Sequence, residues 1–576
     1  KHGPLEHQKE ALAKAKEGFS EYDRGKIIMA CGTGKTYTSL IIAEQIAGVG
    51  KTVLYMVPSL SLMSQTIREW KNDATEDFTA FSACSDETVG SRKKDDEVII
   101  SKNDLAFPAT TNANDLAQAV TKAPKDRMTV VFSTYHSIDV ISEAQKSHGL
   151  QSFDLIICDE AHRTTGATLV GEDESSFVKI HKNDNVSGKK RLYMTATPRI
   201  YGDKAKSKAD DENVALASMD DVDTYGPLFF HRGFGWAVEN NLLTDYKVVV
   251  LAVDEGIVSE KVQNRLAEGA ELKLDDATKI VGCYKALAKD GLKEIDALDF
   301  SSMKPMRRAL AFCQNIKLSK LLEQEFVQVV EEYRSKDTDE EKKLDFRVEL
   351  KHVDGGFDAD MRNDRLNWLK DDPEDNTCRV LTNVRCLSEG VDVPALDAVI
   401  FMHPRKSQID VVQSVGRVMR KSEGKDLGYV IIPITVAPGV TPQKALNDNE
   451  KYRVVWQILN ALRSHDERFD STINKMGLGE DVSDRIEIVG VGAREELDAT
   501  TAVVDDIKPK KRDGKDESET VEGGSEPSPE EPSDQPEQLA FVLSDLSKAI
   551  KAKIVERCGT RDYWENWAKD IAKIAQ

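Results

Sequence analysis

Short apolar runs alternate with segments of helical periodicity from Ile27 to about Val250. Most runs are rich in β-branched residues and lead into a Gly, Ser, Thr or Pro turn or the start of a helix. This alternation is typical of a parallel α/β sheet, because strands buried on both faces read as continuous apolar stretches. The clearest runs span residues 52–57, 129–133, 155–158 and 191–194.

A second set of apolar runs predicts a second parallel sheet. Two successive α/β domains explain both sets, and we set the first at residues 1–232 and the second at residues 233–440. The second set comprises residues 248–253, 308–313, 346–352, 378–382, 398–402 and 428–433.

The remainder of the chain differs from these two domains. Residues 441–507 are interpreted as a mainly helical extension, and the periodicity of residues 539–576 predicts a C-terminal helical segment. Between them, residues 508–538 are rich in Pro, Ser, Glu and Gly and bury too little apolar surface to fold. We therefore predict an acidic disordered linker there.

The composition is that of a globular protein. Of 576 residues, 31% are charged and 40% are hydrophobic, and no apolar run is long enough to cross a membrane. The eight cysteines form no CxxC pair, which argues against a zinc site or a disulfide framework and favours a cytoplasmic location. The chain opens on Lys1 rather than Met, and we interpret it as a portion of a longer protein.

The net charge of −21 argues mildly against a simple nucleic-acid-binding module. The charge is uneven, because residues 513–537 hold ten acidic residues against one lysine and supply −9 of the total. A local basic groove and backbone amides can still bind phosphates in such a chain.

A glycine-rich loop follows the first predicted strand, residues 26–29, and precedes a helical segment at residues 38–47. In such a loop the backbone N–H groups and the helix N-terminus face phosphate oxygens. Lys35 would neutralise the β- and γ-phosphates, and Thr36 would offer its hydroxyl to Mg²⁺. The complete pattern has Gly where Met29 stands, and a coincidental Gly-rich turn is the alternative. The predicted phosphate contacts are Gly32, Thr33, Gly34, Lys35 and Thr36.

Two acidic residues end the apolar strand 153–158. Asp159 would hold Mg²⁺, and Glu160 would polarise an attacking water as general base. Acids at a helix start are common for other reasons. A sheet that binds phosphate after its first strand nevertheless needs a second strand ending nearby, which favours the catalytic interpretation.

Three polar residues share one helical face in the second predicted domain: Gln413, Arg417 and Arg420. Arginine from a neighbouring domain can stabilise the charge that develops on a γ-phosphate. A solvated basic helix face is the alternative.

These motifs occur in an order similar to that of superfamily 2 helicases of the DEAH kind, across residues 5–420. Asp159-Glu160-Ala161-His162 resembles motif II, and Thr195-Ala196-Thr197-Pro198 resembles motif III. The other similarities are Leu5-Glu6-His7-Gln8 to the glutamine motif, residues 30–36 to motif I, Val57-Pro58-Ser59 and Ser64-Gln65-Thr66 to motif Ia, Ser133-Thr134-Tyr135 to motif Ib, residues 309–313 to motif IV, residues 352–355 to motif IVa, Thr382-Asn383 and residues 389–394 to motif V, and residues 413–420 to motif VI.

The resemblance implies two tandem RecA-like domains with Mg²⁺ and ATP between them. Gln8 would read adenine, and Gly390 and Asp392 of the motif V segment would add to the nucleotide site. Arg417 and Arg420 would act as arginine fingers, with Gln413 beside them. By the same resemblance, three residues would link closure of the cleft to the nucleic acid: His162, Thr195 and Thr197.

Within superfamily 2 the phosphate loop is similar to that of type I and type III restriction motors, with Cys31 in place of Thr. Residues 234–246 resemble the segment that joins the two domains of those motors. The motor part of single-polypeptide type ISP restriction–modification enzymes is the most similar group. This resemblance implies nuclease, methyltransferase and target-recognition domains outside this chain.

The implied partner is double-stranded DNA, bound through its backbone without sequence preference and in a salt-sensitive manner. The candidate phosphate contacts are Ser59, Gln65, Thr134, Thr382 and Asn383. Two other functions remain open, an RNA helicase and a non-catalytic nucleic-acid-binding scaffold. Translocation along a duplex without strand separation is also open.

Overall fold

The computed structural model describes residues 3–84, 109–169, 176–199, 214–257, 272–290, 304–335, 345–384, 387, 396–405, 407–436, 452–491 and 543–558. Two large parallel sheets, covered by helices, dominate these residues. Within them, no helix is both long and apolar enough to cross a bilayer.

The first sheet has eight strands in the order β10-β1-β8-β6-β2-β5-β3-β4. The strands are β1 (Arg24–Met29), β2 (Thr52–Val57), β3 (Phe78–Ala83), β4 (Ala109–Thr110), β5 (Met128–Thr134), β6 (Leu155–Cys158), β8 (Arg191–Thr195) and β10 (Leu228–Arg232). Two further strands, β7 (Gly166–Leu169) and β9 (Val214–Ala217), form a small antiparallel pair. The helices of this region are α1 (Glu6–Glu21), α2 (Lys35–Ile46), α3 (Leu60–Asp73), α4 (Ala113–Lys122), α5 (Ile138–Ser147) and α6 (Val222–Tyr225).

The first sheet is buried on both faces. Along β2, Tyr55 belongs to the apolar cluster on one face, and Leu54 and Met56 belong to the cluster on the other. Successive strand residues point to opposite faces, so a strand covered on both sides must be apolar throughout. This requirement explains why the sequence shows an unbroken apolar run there.

The second sheet has seven strands in the order β13-β14-β12-β15-β16-β11-β17. They are β11 (Asp245–Asp254), β12 (Arg308–Phe312), β13 (Arg347–His352), β14 (Thr377–Asn383), β15 (Ala398–Phe401), β16 (Leu427–Val436) and β17 (Ile486–Val491). The helices are α7 (Phe234–Glu239), α8 (Leu274–Leu287), α9 (Ile316–Arg334), α10 (Ala359–Lys370), α11 (Gln408–Val418), α12 (Arg453–Arg463), α13 (Glu467–Gly477) and α14 (Leu543–Cys558).

The predicted fold class is confirmed: two tandem parallel-sheet α/β domains of RecA-like form, with helices after them. The region predicted as mainly helical, residues 441–507, holds α12 and α13 but also β17, which pairs in parallel with β11. The sequence analysis did not predict this edge strand. Of the C-terminal segment, α14 is described, and the predicted linker at residues 508–538 lies outside the described residues.

The long helix α9 begins with a side-chain cap, because Asn315 Oδ1 accepts a hydrogen bond from the Leu318 N–H at 2.8 Å. Replacing Asn315 with Ala leaves that N–H without its cap, and we expect a loss of about 1 kcal/mol in the free energy of unfolding. Urea titration measures this loss. Asn315→Asp keeps an accepting oxygen and should stay close to the parent, and an equal loss in both variants would contradict the capping role.

Candidate functional site

The glycine-rich loop lies between β1 and α2 and makes a left-handed turn. Gly32 and Gly34 have φ of 81° and 84°, values that favour glycine. The Thr33 hydroxyl donates to the Ala30 carbonyl at 2.7 Å and closes the turn. Lys35 then opens α2. The strand, the loop and the helix thus follow one another in the arrangement that a phosphate-binding loop requires.

Two residues of α1 hold this loop from one side. The His7 ring lies with Nε2 2.8 Å from the Thr33 carbonyl oxygen, and Gln8 Nε2 donates to the Gly34 carbonyl at 3.4 Å. Gln8 Oε1 also accepts from the Leu5 N–H at 2.9 Å. A Cβ at Gly34 would displace the Gln8 amide, and the φ of this residue favours glycine in any case. Both α1 side chains are buried.

The acidic pair follows β6, on the far side of β8 from the glycine-rich loop. Asp159 is buried, and its Oδ2 accepts from the Tyr55 hydroxyl at 3.2 Å while its Oδ1 accepts from the Glu160 N–H at 2.9 Å. The Tyr135 hydroxyl donates to the Asp159 carbonyl at 2.8 Å. Glu160 has φ 47°, in the left-handed region that side chains other than glycine rarely adopt.

Burial raises the pKa of both acids, and their mutual repulsion adds to the rise for Glu160. Lys35 opposes the rise in both cases, and Arg417 opposes it for Glu160. Burial alone would lower the pKa of Lys35, but Cys31 and the two carboxylates raise it overall. One lysine and two acids therefore form a single electrostatic unit, in which the ammonium favours the carboxylate forms.

Tyr55 anchors this unit within the first sheet. Its buried hydroxyl donates to Asp159 and accepts from Ser39 Oγ at 3.3 Å. Replacing Tyr55 with Phe leaves both groups without this partner, and we expect a loss of about 1–3 kcal/mol in the free energy of unfolding. Denaturant unfolding measures it.

Tyr193→Phe is the matched control, because it removes a buried tyrosine hydroxyl of the same sheet, 2.9 Å from His181 Nδ1. Both variants should lose a comparable amount of stability. A Tyr55→Phe protein as stable as the parent would contradict the anchoring role.

The helix α11 of the second sheet meets the glycine-rich loop of the first. A Cβ at Gly416 would lie 2.7 Å from Cys31 Cβ and 3.6 Å from its Sγ. A Cβ at Gly32 would lie 3.8 Å from Arg420 Cγ. The arginine-bearing helix and the phosphate-type loop, nearly four hundred residues apart in sequence, are therefore in direct contact.

The two arginines act on the acid–lysine unit through their charges. Arg417 opposes the rise in the pKa of Glu160 that burial causes, and Arg420 opposes the rise in the pKa of Lys35. Arg417 and Gln413 are both buried. Within the described part of the chain, Gln413 Oε1 has no hydrogen-bond partner. The structure thus brings together Lys35, Asp159, Glu160, Arg417 and Arg420, while their chemical roles stay predictions. The prediction that Arg420 shares a helical face with Gln413 and Arg417 was wrong, because α11 ends at Val418.

His162 connects the acidic pair to β8. Its Nδ1 lies 3.0 Å from Thr195 Oγ1, 3.4 Å from Thr197 Oγ1 and 3.4 Å from Glu160 Oε2. Burial lowers the pKa of His162 well below its usual range, so the ring is neutral. The strand order β1-β8-β6 explains these contacts, because the end of β8 lies between the glycine-rich loop and the acids.

Four of the five candidate nucleic-acid contacts lie at or just after the carboxyl ends of strands, whereas Gln65 lies within α3. Ser59 caps α3, and Gln65 donates to Glu69 at 2.7 Å. The hydroxyls of two buried threonines already bind protein groups. Thr134 Oγ1 lies 2.8 Å from Ser137 Oγ, and Thr382 Oγ1 donates to the Ser319 carbonyl at 3.0 Å.

Asn383 is fully buried, and its amide has no hydrogen-bond partner among the described residues. The hydroxyls of Thr134 and Thr382 are thus occupied within the fold and the Asn383 amide is enclosed, so phosphate binding by these three residues stays a prediction. Gly390 and Asp392, predicted for the nucleotide site, lie outside the described residues.

The sequence analysis did not single out His7 or Tyr55. Tyr55 stands inside an apolar strand, where its residue type carries no signal of a contact with Asp159. His7 stands beside Gln8, so the glutamine motif itself was the available signal.

A second polar cluster lies near the carboxyl end of β15. Ligand atoms of Asp275, Asp276 and His403 lie within 4.8 Å of one another. The Lys279 ammonium lies 2.7 Å from Asp275 Oδ2, and His403 Nε2 lies 3.3 Å from Asp276 Oδ1. Because the Lys279 ammonium already neutralises Asp275, we assign no metal to this cluster.

Two family profiles match the chain. That of the type III restriction enzyme res subunit matches residues 1–200. That of the helicase conserved C-terminal domain matches residues 292–422. Together with the two parallel sheets, these matches show that the chain contains a pair of helicase-type domains, similar to those of superfamily 2.

Its structural neighbours are type ISP restriction–modification enzymes, to which it is related. A structure described as the ATP-dependent Type ISP restriction-modification enzyme LlaBIII bound to DNA is 38% identical with a TM-score of 0.76, and the match covers 99% of this chain and 34% of that one. A nuclease-deletion mutant of LlaGI is 34% identical with a TM-score of 0.59, over 99% of this chain and 33% of that one. The chain thus spans about a third of those enzymes.

A curated relative is more distant. The probable helicase A859L of African swine fever virus (isolate Tick/Malawi/Lil 20-1/1983) is 26% identical over 464 residues, which are 80% of this chain and 44% of the relative.

Proposed function

We propose that this chain is an ATP-driven motor that hydrolyses ATP to move along duplex DNA. The observation that carries the proposal is the contact of α11 with the glycine-rich loop, at Gly416 and Cys31. Side chains from both sheets would contact a nucleotide held by the loop. Its binding and hydrolysis would therefore change the position of one sheet relative to the other.

The loop and the acids suit Mg²⁺ and ATP as substrate. Two left-handed glycines leave room for phosphate beside the N-terminus of α2, and Asp159 is a buried carboxylate in electrostatic contact with Lys35. Glu160 Oε2 accepts no hydrogen bond from the described residues, and in the proposed reaction a water molecule bound with the nucleotide would donate to it. Thr36 and Asp159 would hold the metal ion, which would neutralise phosphate charge when bound.

Each residue of the proposed site has a separate task. Lys35 holds the β- and γ-phosphates, and Glu160 takes the proton of the attacking water. Arg417 and Arg420 stabilise the charge on the phosphoryl group, with Gln413 beside them. Gln8 would exchange its bond to Gly34 for a bond to adenine. Water adds to the γ-phosphorus, and ADP leaves with inorganic phosphate as the second product.

Through its contacts with Thr195 and Thr197, His162 would transmit a structural change at Asp159 and Glu160 to the carboxyl-terminal edge of the first sheet. Ser59 and Thr134 lie at that edge, with Gln65 in the helix α3 that Ser59 caps, and Thr382 and Asn383 lie at the equivalent edge of the second sheet. Contacts of this kind read phosphate geometry rather than base sequence. The likeness to a type ISP enzyme bound to DNA supports DNA as the partner.

The biological setting we propose is a restriction–modification or phage-defence enzyme in the cytoplasm. The likeness to LlaBIII and LlaGI supports this setting. In it, nuclease, methyltransferase and target-recognition domains would be linked covalently to the motor.

The test is ATP hydrolysis measured with duplex DNA, single-stranded DNA and RNA, followed by displacement of a triplex-forming strand from duplex DNA. We expect the strongest stimulation by duplex DNA and displacement that depends on ATP. Stimulation by RNA alone would indicate an RNA helicase instead. Equal hydrolysis by the parent and a Lys35→Ala variant would exclude both the motor and the site.

A further inference from the structure

The start of β11 is tied to the helical extension at three successive residues. Asp245 accepts from Arg468 Nη1 at 3.1 Å and from Arg485 Nη2 at 2.9 Å. The Tyr246 ring stacks on Phe469, with centroids 6.1 Å apart and planes at 12°. Next in sequence, Lys247 Nζ lies 2.6 Å from Glu487 Oε2 in a buried ion pair. These ties hold α13 and β17 at the point where the chain enters the second sheet.

Arg468 contacts three separate segments. Its Nε and Nη2 donate to the two oxygens of Asp466 at 2.9 and 2.8 Å, which fixes the plane of the guanidinium. Its Nη1 binds Asp245. A Cβ at Gly235 would lie 3.4 Å from Arg468 Cγ and Cδ, so α7 also packs on this side chain. The turn before α13 is thereby held against the segment that joins the two sheets.

The segment that joins the two sheets, residues 234–246, is also hydrogen-bonded to the end of α11, the helix that carries Arg417. The Thr244 N–H donates to the Met419 carbonyl at 2.8 Å, and Met419 caps the C-terminus of α11. Thr244 precedes Asp245, and Met419 stands between Arg417 and Arg420. One continuous path of contacts therefore runs from Arg468 through Asp245 and Thr244 to the two arginines.

We propose that Arg468 is a positioning residue of the ATPase reaction. By fixing Asp245 and the turn before α13, it keeps α11 at the distance from the glycine-rich loop at which Arg417 and Arg420 serve the phosphoryl group. The proposal rests on the function proposed above, because it assigns Arg468 a part in that reaction.

Arg485 provides a matched control. Its side chain is 17% exposed, as is that of Arg468, and it binds the same carboxylate. In the described ranges, its side chain hydrogen-bonds Asp245 alone. If Arg468 only neutralised Asp245, Arg485→Ala would have the same effect as Arg468→Ala.

The experiment compares the parent with Arg468→Ala, Arg468→Lys and Arg485→Ala. Kinetics with saturating duplex DNA give kcat and the KM for ATP, and hydrogen exchange reports on residues 408–419. We expect Arg468→Ala to lower kcat about tenfold or more, since small displacements of catalytic groups are costly, with KM for ATP nearly unchanged. Arg468→Lys keeps the charge but loses the planar fork, so it should recover only part of the loss.

Hydrogen exchange separates this proposal from the function on which it rests. Faster exchange at residues 408–419 in Arg468→Ala than in Arg485→Ala is expected whether or not the parent hydrolyses ATP. Equal exchange, or equal kcat in the two alanine variants, would overturn the positioning role. A parent without nucleic-acid-stimulated hydrolysis would instead overturn the proposed function. Should Arg468→Ala fail to fold, the same comparison between Arg468→Lys and Arg485→Lys decides the question.

Discussion

Replacing Arg417 with Ala is expected to lower the rate of ATP hydrolysis by about 10³–10⁵, the range that arginine fingers contribute in other nucleotide hydrolases. Arg417 is buried beside Glu160 and comes from the helix that contacts the glycine-rich loop. Because the charge it meets develops mainly in the transition state, kcat should fall while the KM for ATP changes little. Steady-state phosphate release in the presence of duplex DNA measures both.

Two further substitutions make the Arg417 result specific. Arg417→Lys keeps a positive charge without the planar fork and should remain well below the parent. Lys421→Ala removes a nearby cation that is exposed and bonded to Asn241, and it should leave kcat within about twofold. An Arg417→Ala protein within tenfold of the parent would contradict a direct role.

Replacing Gly416 with Ala is expected to lower kcat by about 100-fold, the cost of a displacement near 1 Å at a reacting centre. The added Cβ would lie 2.7 Å from Cys31 Cβ, so α11 and the glycine-rich loop must move apart. Hydrolysis measured with duplex DNA, together with thermal unfolding to show that the fold persists, checks the result.

The partner of Gly416 supplies the control. Cys31→Gly removes the opposing Cβ, and the double variant should regain most of the activity that Gly416→Ala loses. A double-mutant cycle gives the interaction directly, because the two residues are in contact. If the double variant were as slow as Gly416→Ala, the contact would not be the cause.

Strands covered on both faces were readily predicted from the sequence. The predicted run 52–57 and the predicted run 155–158 coincide with β2 and β6, because burial on both faces demands unbroken apolar residues. The edge strand β17 was missed. Its sequence includes Glu487 and Gly490, and its pairing with β11 joins residues more than two hundred positions apart.

The candidate site likewise combines residues that the sequence predicted with contacts that it did not predict. Lys35, Asp159 and Glu160 follow strands, so their types and spacing predicted which edge of the sheet they share. The approach of Gly416 to Cys31, the Tyr55–Asp159 hydrogen bond and the contacts of Arg468 depend on non-local packing. No pattern along the chain encodes those distances. The roles of the site residues await the measurements above.

The left-handed backbone at Glu160 makes the chain less stable than it need be. Holding a residue with a side chain in that conformation costs about 1–3 kcal/mol, and glycine would avoid most of it. Replacing Glu160 with glycine would therefore stabilise the fold while removing the carboxylate proposed as general base. A glutamate at this position is a thermodynamic burden that the rest of the fold must offset.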